Sequence, residues 1–315
     1  MKKEFKLKNI NKKILTILSV GIIFFSSLLM LGLQAFGIPA WKNVFTACGV
    51  TEFSRHADDY PMSVHVLDVG KADSIFITCE GKNILIDAGE TSIYKVVNEY
   101  LRKLDVKTLD LLVLTHQHSD HVGSMSKIVD ELNIKSFMMP KLKDEIIPTF
   151  KSYEKLLVSL DKKNIRVDKP IPGKSYNIGE MKIDVFAPVE QYDNMNSNSI
   201  VFKVTYKNRS FLFTGDAGKE SERDMIASGF DLKADVLKIG HHGSKTSTSQ
   251  SFLNNVRPTY AVISVGEDRN KLPKKEIINR LKENNIKIYR TDLDGTVTFA
   301  TNGDDIKIFC EKGND

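Results

Sequence analysis

The string Thr115-His116-Gln117-His118-Ser119-Asp120-His121 follows directly on the apolar run Leu109 to Leu114. A short apolar run that ends in polar residues reads as a buried strand giving way to a loop. Side chains alternate across a strand, but on a loop that opens a helix they can converge on one point. His116, His118, Asp120 and His121 thus place four strong metal ligands at one strand end. The chain has only seven histidines, and five lie either here or in Ile239-Gly240-His241-His242-Gly243-Ser244. Scattered core or surface histidines do not cluster this way. The fold must bring two loops, far apart in sequence, to one metal site.

A chain of 315 residues with 41% hydrophobic and 27% charged residues is an ordinary globular protein with room for one large domain or two modest ones. Cys48, Cys79 and Cys310 are too few and too scattered for a disulfide framework, although a Cys79–Cys310 bridge stays open. The formal charge of +5 would suggest nucleic-acid binding if it were spread over the chain. It is not: residues 1–13 hold six lysines and Glu4, which accounts for all of it. The remainder is neutral overall, so a polyanion surface there would have to be a local patch.

No charged residue occurs from Ile14 to Trp41, and Ile14 to Leu33 alone matches one bilayer span. The lysines before it keep the N-terminus cytoplasmic and send the rest outside. The expected organisation is a basic tail (1–13), a transmembrane signal anchor (14–38), a linker (39–61) and one folded domain carrying both histidine clusters (62–312). A cleaved signal peptide is the competing reading, but no clean small-residue cleavage site follows the apolar run.

From Met62 the texture becomes short apolar strands broken by Gly and Asp. Strands are expected at 63–69, 74–79, 83–87, 111–115, 135–139, 181–186, 200–206, 209–214, 235–239, 260–265, 286–290, 296–300 and 305–310. Residues 200–206 and 209–214 form a hairpin through Lys207-Asn208. Amphipathic helices follow from the stripes Ile93 to Leu104, Phe150 to Leu160 and Ile277 to Leu281. Many strands with few helices pack as two mixed sheets with helices outside.

His116 and His118 can hold one ion, and Asp120 with His121 a second. Thr214-Gly215-Asp216-Ala217, at the end of an apolar run, supplies a bridging carboxylate. Either His241 or His242 completes the second position while the other faces substrate. Two divalent ions, Zn or Mn, suit phosphoester hydrolysis. Ser244 and Lys245 bring a hydroxyl and a cation beside the histidines, a candidate cradle for developing negative charge.

These strings resemble the metallo-β-lactamase superfamily, and more narrowly the hydrolase domain of the ComEC competence-protein family. Supporting matches are Asp68-Val69-Gly70-Lys71-Ala72-Asp73-Ser74, Leu85-Ile86-Asp87-Ala88-Gly89, Asn196-Ser197-Asn198-Ser199 and Arg290-Thr291-Asp292-Leu293-Asp294-Gly295-Thr296. The resemblance covers residues 62–310 and implies an α/β fold, the αββα sandwich. It implies metal roles for His116, His118, Asp120, His121, Asp216 and His242, with Asp120 and His241 catalytic. Asp87 would support a ligand, and Asn198, Ser244 and Lys245 would lie near substrate. Three departures stand out. No histidine lies between His121 and His241, where many superfamily members have one and this chain offers Asn196 and Asn198. The usual Gly-Gln-Gly-Asp-Ser loop is Gly70-Lys71-Ala72-Asp73-Ser74. Asn270-Lys271-Leu272-Pro273 lacks a histidine often found before that proline.

The function expected is a membrane-anchored, extracytoplasmic two-metal phosphodiesterase or nuclease. A cell-envelope phosphodiester of choline-phosphate or teichoic-acid type is the alternative substrate. A metal-binding module without turnover is the non-enzymatic alternative, and β-lactams are disfavoured by the missing histidine.

Overall fold

Residues 57, 59–267, 269 and 271–312 are described in the computed structural model of the chain. The basic tail, the anchor at 14–38 and nearly all of the linker fall outside them. Among the described residues no helix is long and apolar enough to cross a membrane.

The first half runs β1 (Met62–Val66), β2 (Ile75–Cys79), β3 (Lys82–Ile86), α1 (Tyr94–Lys103), β4 (Thr108–Leu109), β5 (Leu111–Val113), α2 (Ser119–Val122), α3 (Met125–Glu131), β6 (Asn133–Ile134), β7 (Phe137–Met138), α4 (Lys151–Lys162) and β8 (Val167–Asp168). The second runs β9 (Ser175–Ile178), β10 (Met181–Ala187), β11 (Val201–Tyr206), β12 (Arg209–Phe213), α5 (Lys219–Ala227), β13 (Val236–Lys238), α6 (Gln250–Val256), β14 (Tyr260–Ile263), α7 (Lys275–Glu283) and β15 (Lys287–Arg290). Then α8 (Thr291–Asp294), β16 (Val297–Thr301) and β17 (Ile306–Cys310) return the chain to the first sheet.

Among the described residues one sheet has the order β17-β16-β1-β2-β3-β5-β7-β8 and the other β15-β14-β13-β12-β11-β10-β9. Strand alternation explains how they stack. Val64, Ile77, Ile84 and Val113 of the first sheet meet Phe202, Val204, Phe211 and Val236 of the second in one apolar layer. The residues between them point outward. Phe76, Leu85 and Leu112 pack under Val97 and Leu101 of α1, Ile128 of α3 and Leu156 of α4. Val201, Leu212 and Leu237 pack under Met225 of α5, Phe252 of α6 and Ile277 of α7. The result is a mixed α/β fold in four layers, helices–sheet–sheet–helices. Each buried Phe or Leu side chain contributes about 1.5–3 kcal/mol of transfer free energy.

The expected hairpin is present, with Tyr206 opposite Arg209 and Lys207 at φ +51. The Cys79–Cys310 bridge is not: both thiols are free. Cys79 lies opposite Met62, which pairs with Thr301, whereas Cys310 lies opposite Val297 at the other end of β16.

Candidate metal centre

Four loops at the C-terminal ends of β3, β5, β12 and β13 meet where the edges of the two sheets come together. Each is held by backbone bonds to another. The loop after β5 carries Thr115 to His118, and α2 then supplies Asp120 and His121. Asp87, just past β3 at φ +56, accepts from the Thr115 N–H (2.8 Å) and the Thr115 hydroxyl (2.6 Å). The Asp216 loop needs Gly215: its φ is +48, and a Cβ there would stand 2.9 Å from Thr115 Cβ. His241 donates its N–H to the Gly215 carbonyl at 3.1 Å, which ties the second histidine cluster to Asp216. His241 and His242 both have φ of +51, left-handed backbone outside glycine of the kind found at functional sites.

Asp216 stands at the centre, 2% exposed, and its two oxygens face different partners. Oδ2 is 3.8 Å from His116 Nε2 and 3.7 Å from His241 Nε2. Oδ1 is 3.6 Å from His121 Nε2 and 3.8 Å from His242 Nε2. His118 Nδ1 is 2.9 Å from His116 Nε2, on the first side. Asp120 lies on the second side, with Oδ2 3.5 Å from His242 Nε2 and Oδ1 4.0 Å from His121 Nε2.

Outer hydrogen bonds fix the tautomers. His121 Nδ1 is 2.7 Å from Asp87 Oδ2, and His242 Nδ1 is 2.9 Å from the Ser264 carbonyl, so each ring donates from Nδ1. That leaves both Nε2 atoms turned into the site. His121 Nε2, His242 Nε2 and Asp216 Oδ1 are buried and have no hydrogen-bond partner among the described residues. Buried polar atoms are normally satisfied, and a divalent cation satisfies this particular set. Two groups with ligand atoms within 4.8 Å of one another share the site: His116, His121 and Asp216, and Asp120, His121 and His242. Zinc and similar ions take this donor set.

The electrostatics agree with cation binding. Burial disfavours a charged His121 ring, but Asp87 and Asp216 outweigh it and hold its pKa well above the usual imidazole value. Burial is likewise outweighed at His242, raised by Asp216 and Asp120. Burial works against the Asp216 carboxylate, yet His242 and His121 keep it ionised far below the usual range. His116 is lowered by its burial and by His121, and His241 by burial.

A cavity of about 620 Å³ opens beside Asp216 and His241, lined also by Asn196, Lys219, Lys245 and Thr246. Ser244 Oγ lies 3.0 Å from Thr246 Oγ1, which in turn lies 3.0 Å from His241 Nδ1. Lys71 Nζ stands 3.7 Å from Asp120 Oδ2. Glu222 of α5 accepts from the N–H groups of Thr248 and Ser249 and so pins the loop that carries Lys245.

One expected position needs correction. Asn198 does not face the cavity: its amide is taken up by the Tyr192 N–H, the Tyr192 carbonyl and the Asn194 carbonyl, closing the loop before β11. Asn196 lines the cavity instead, with a buried Oδ1 that has no partner among the described residues. The Asn-Ser-Asn string could not decide between them, since both are asparagines in the same irregular loop before the strand. Lys219 and Lys238 gave no motif signal either, because an isolated lysine in sequence looks the same wherever it points.

Residues 67–267 match the family model of the metallo-beta-lactamase superfamily. The chain is 30% identical over 257 residues to ComE operon protein 3 of Bacillus subtilis, covering 75% of this chain and 32% of that protein. It is 32% identical over 243 residues to Recombination protein 2 of Haemophilus influenzae, covering 74% and 28%. It thus spans about a third of the length of these curated relatives. Among solved structures, the metallo-beta-lactamase fold protein YhfI of Bacillus subtilis superposes with a TM-score of 0.52 at 11% identity, covering 77% of this chain and all of the other. The chain belongs to the metallo-β-lactamase superfamily.

Proposed function

We propose that this protein is a two-metal phosphodiesterase acting on nucleic acid. Residues 14–38 anchor it in the membrane and place the hydrolase domain outside the cytoplasm. The observation that carries the reading is Asp216: its two oxygens face two separate histidine sets, as a bridging carboxylate must. His116, His118 and Asp216 would hold one ion, and Asp120, His121, His242 and Asp216 the other, Zn or Mn. When bound, such a pair supplies hydroxide near neutral pH and stabilises the entering and leaving oxygens of an in-line displacement.

The chain's own groups do the rest. Asp120, beside the Lys71 ammonium, orients the attacking water. His241, a quarter exposed and kept neutral by its burial, can donate an Nε2–H hydrogen bond to charge developing on the substrate while Nδ1 accepts from the Thr246 hydroxyl. Lys219 and Lys245 bring positive charge to the cavity where a phosphate would lie. The name of one relative, Recombination protein 2 of Haemophilus influenzae, supports nucleic acid as the substrate. A cell-envelope phosphodiester remains the second reading, supported by the cavity lining: among the described residues that line it, Asn194, Asn196, Lys219, Lys245 and Thr246 are polar or charged and none is a Phe, Tyr or Trp that would stack a base.

The test is a substrate panel on the full chain: single- and double-stranded DNA, RNA, bis-nitrophenyl phosphate, a phosphocholine ester and a cephalosporin, each compared with Asp216→Asn. Turnover of a phosphodiester that Asp216→Asn abolishes is the expected result. Bound metal with no phosphodiester turnover would instead favour a binding module.

A further inference from the structure

We infer that Lys238 is a positioning residue for the metal centre: locked onto Asp73, it ties the strand leading to His242 to the loop of Asp120, and keeps the Asp73 carboxylate out of the metal shell. This rests on the two-metal reading above.

Lys238 ends β13, four residues before His242, and at 1% exposure it is buried as completely as the core phenylalanines. Its Nζ lies 2.8 Å from Asp73 Oδ2 and donates to the Ile239 carbonyl at 3.1 Å. Asp73 belongs to the other half of the sandwich, in the loop between β1 and β2. Its N–H donates to the Asp120 carbonyl (3.2 Å), and its own carbonyl accepts from the Gly89 N–H (2.8 Å). One side-chain pair therefore links the backbone that carries His241 and His242 to the backbone beside Asp87 and Asp120. The second ion's ligands come from both of these halves.

A lysine is almost never this buried without a reason, and a buried ion pair gains little stability over two apolar side chains of the same volume. The chemistry at Asp73 supplies a reason. Asp73, Asp87 and His121 form a third group close enough to hold a cation. Asp73 Oδ1 has no hydrogen-bond partner among the described residues and lies 3.7 Å from His242 Nδ1. Without a fixed positive charge, this carboxylate would compete for an ion and pull it away from Asp216. The Lys238 ammonium fills that role permanently, so metal binding is confined to the two groups around Asp216.

The experiment measures metal stoichiometry and affinity by competition with a chromophoric chelator, on the full chain stripped of metal and titrated with Zn2+. The melting temperature of the metal-free form is measured alongside. The variants are Lys238→Gln, which keeps a donor to Asp73 and loses the charge, and Lys238→Met combined with Asp73→Leu, which makes the pair apolar. The expected result is a double variant that melts within about 3 °C of the parent but binds the second equivalent at least about tenfold more weakly. Lys238→Gln should weaken the second equivalent similarly, because Asp73 then competes for the ion, and it decides by the same criterion if the apolar pair does not fold. Two equivalents at parental affinity in the variants would overturn the inference alone. Fewer than two on the parent would overturn the two-metal reading and this inference with it.

Discussion

Replacing Asp87 by Asn changes one atom and should disable a metal ligand that Asp87 never shares. The Asp87 carboxylate is fully buried and accepts three hydrogen bonds: Oδ1 from the Thr115 N–H at 2.8 Å, Oδ2 from the Thr115 hydroxyl at 2.6 Å and from His121 Nδ1 at 2.7 Å. An amide has one acceptor oxygen and must turn its NH2 to one side. Turned toward Thr115 N–H, it sets two donors face to face, and a buried unsatisfied donor costs about 1–3 kcal/mol. Turned toward His121, it forces the imidazole proton onto Nε2, the atom that points at Asp216 from 3.6 Å. A protonated Nε2 cannot ligate metal. The expected loss is therefore about 10–100-fold in metal affinity. The metal-free protein should also melt roughly 2–4 °C lower for each kcal/mol lost. Chelator competition and calorimetry read both. If Asp87→Asn bound two equivalents within twofold of the parent and melted at the same temperature, the tautomer argument would be refuted.

His121 and His242 have raised pKa values in the metal-free site, so each must shed a proton before its Nε2 can bind an ion. Metal uptake near neutral pH should then release protons, and affinity should fall about tenfold per pH unit for each proton below those pKa values. Calorimetry in buffers of different ionisation enthalpy counts the protons. The stability sign follows from the same shifts: the stabilisation from these rings is complete below the unfolded imidazole pKa and is lost as pH rises through their folded values. Asp216 and Asp120, depressed against their burial by the neighbouring histidines, add stability above the unfolded carboxylate pKa that is lost on acidification. The metal-free protein should accordingly weaken on the alkaline side, and metal should suppress that loss. Away from the site, Phe202→Ala removes a ring that is 1% exposed between the sheets and 5.5 Å from the Phe213 ring. It should cost about 3–5 kcal/mol in urea unfolding while the folded fraction keeps its metal stoichiometry.

The strands that alternate cleanly or run apolar were legible in the sequence because burial on one or both faces leaves a pattern. Met62–Val66 and Val201–Tyr206 are of this kind. The two-residue strands Thr108–Leu109 and Val167–Asp168 were not, being too short for any period. Helix Lys219–Ala227 was missed because only Ser221, Glu222 and Met225 face inward, and two of these are polar. The clustering of the candidate ligands was legible because His-x-His-x-Asp-His is dense and rare. The central place of Asp216 was legible from the apolar strand end beside it, Phe211 to Phe213. The ambiguity between His241 and His242 could not be resolved from order alone. Two successive left-handed residues send one ring to each oxygen of Asp216, and no sequence period encodes that. Lys245 was legible from its place beside the second histidine pair, but Lys238 stayed hidden, since burial of an ammonium depends on a carboxylate far away in the chain, here Asp73.

The most direct test counts metal on the full chain after saturation and removal of excess, by plasma mass spectrometry, for the parent and for Asp216→Asn. An amide keeps one oxygen for one ion and loses the other. A bridged pair predicts two equivalents on the parent and no more than one on the variant. One equivalent or fewer on the parent, or two retained by Asp216→Asn, would contradict a centre built around that carboxylate.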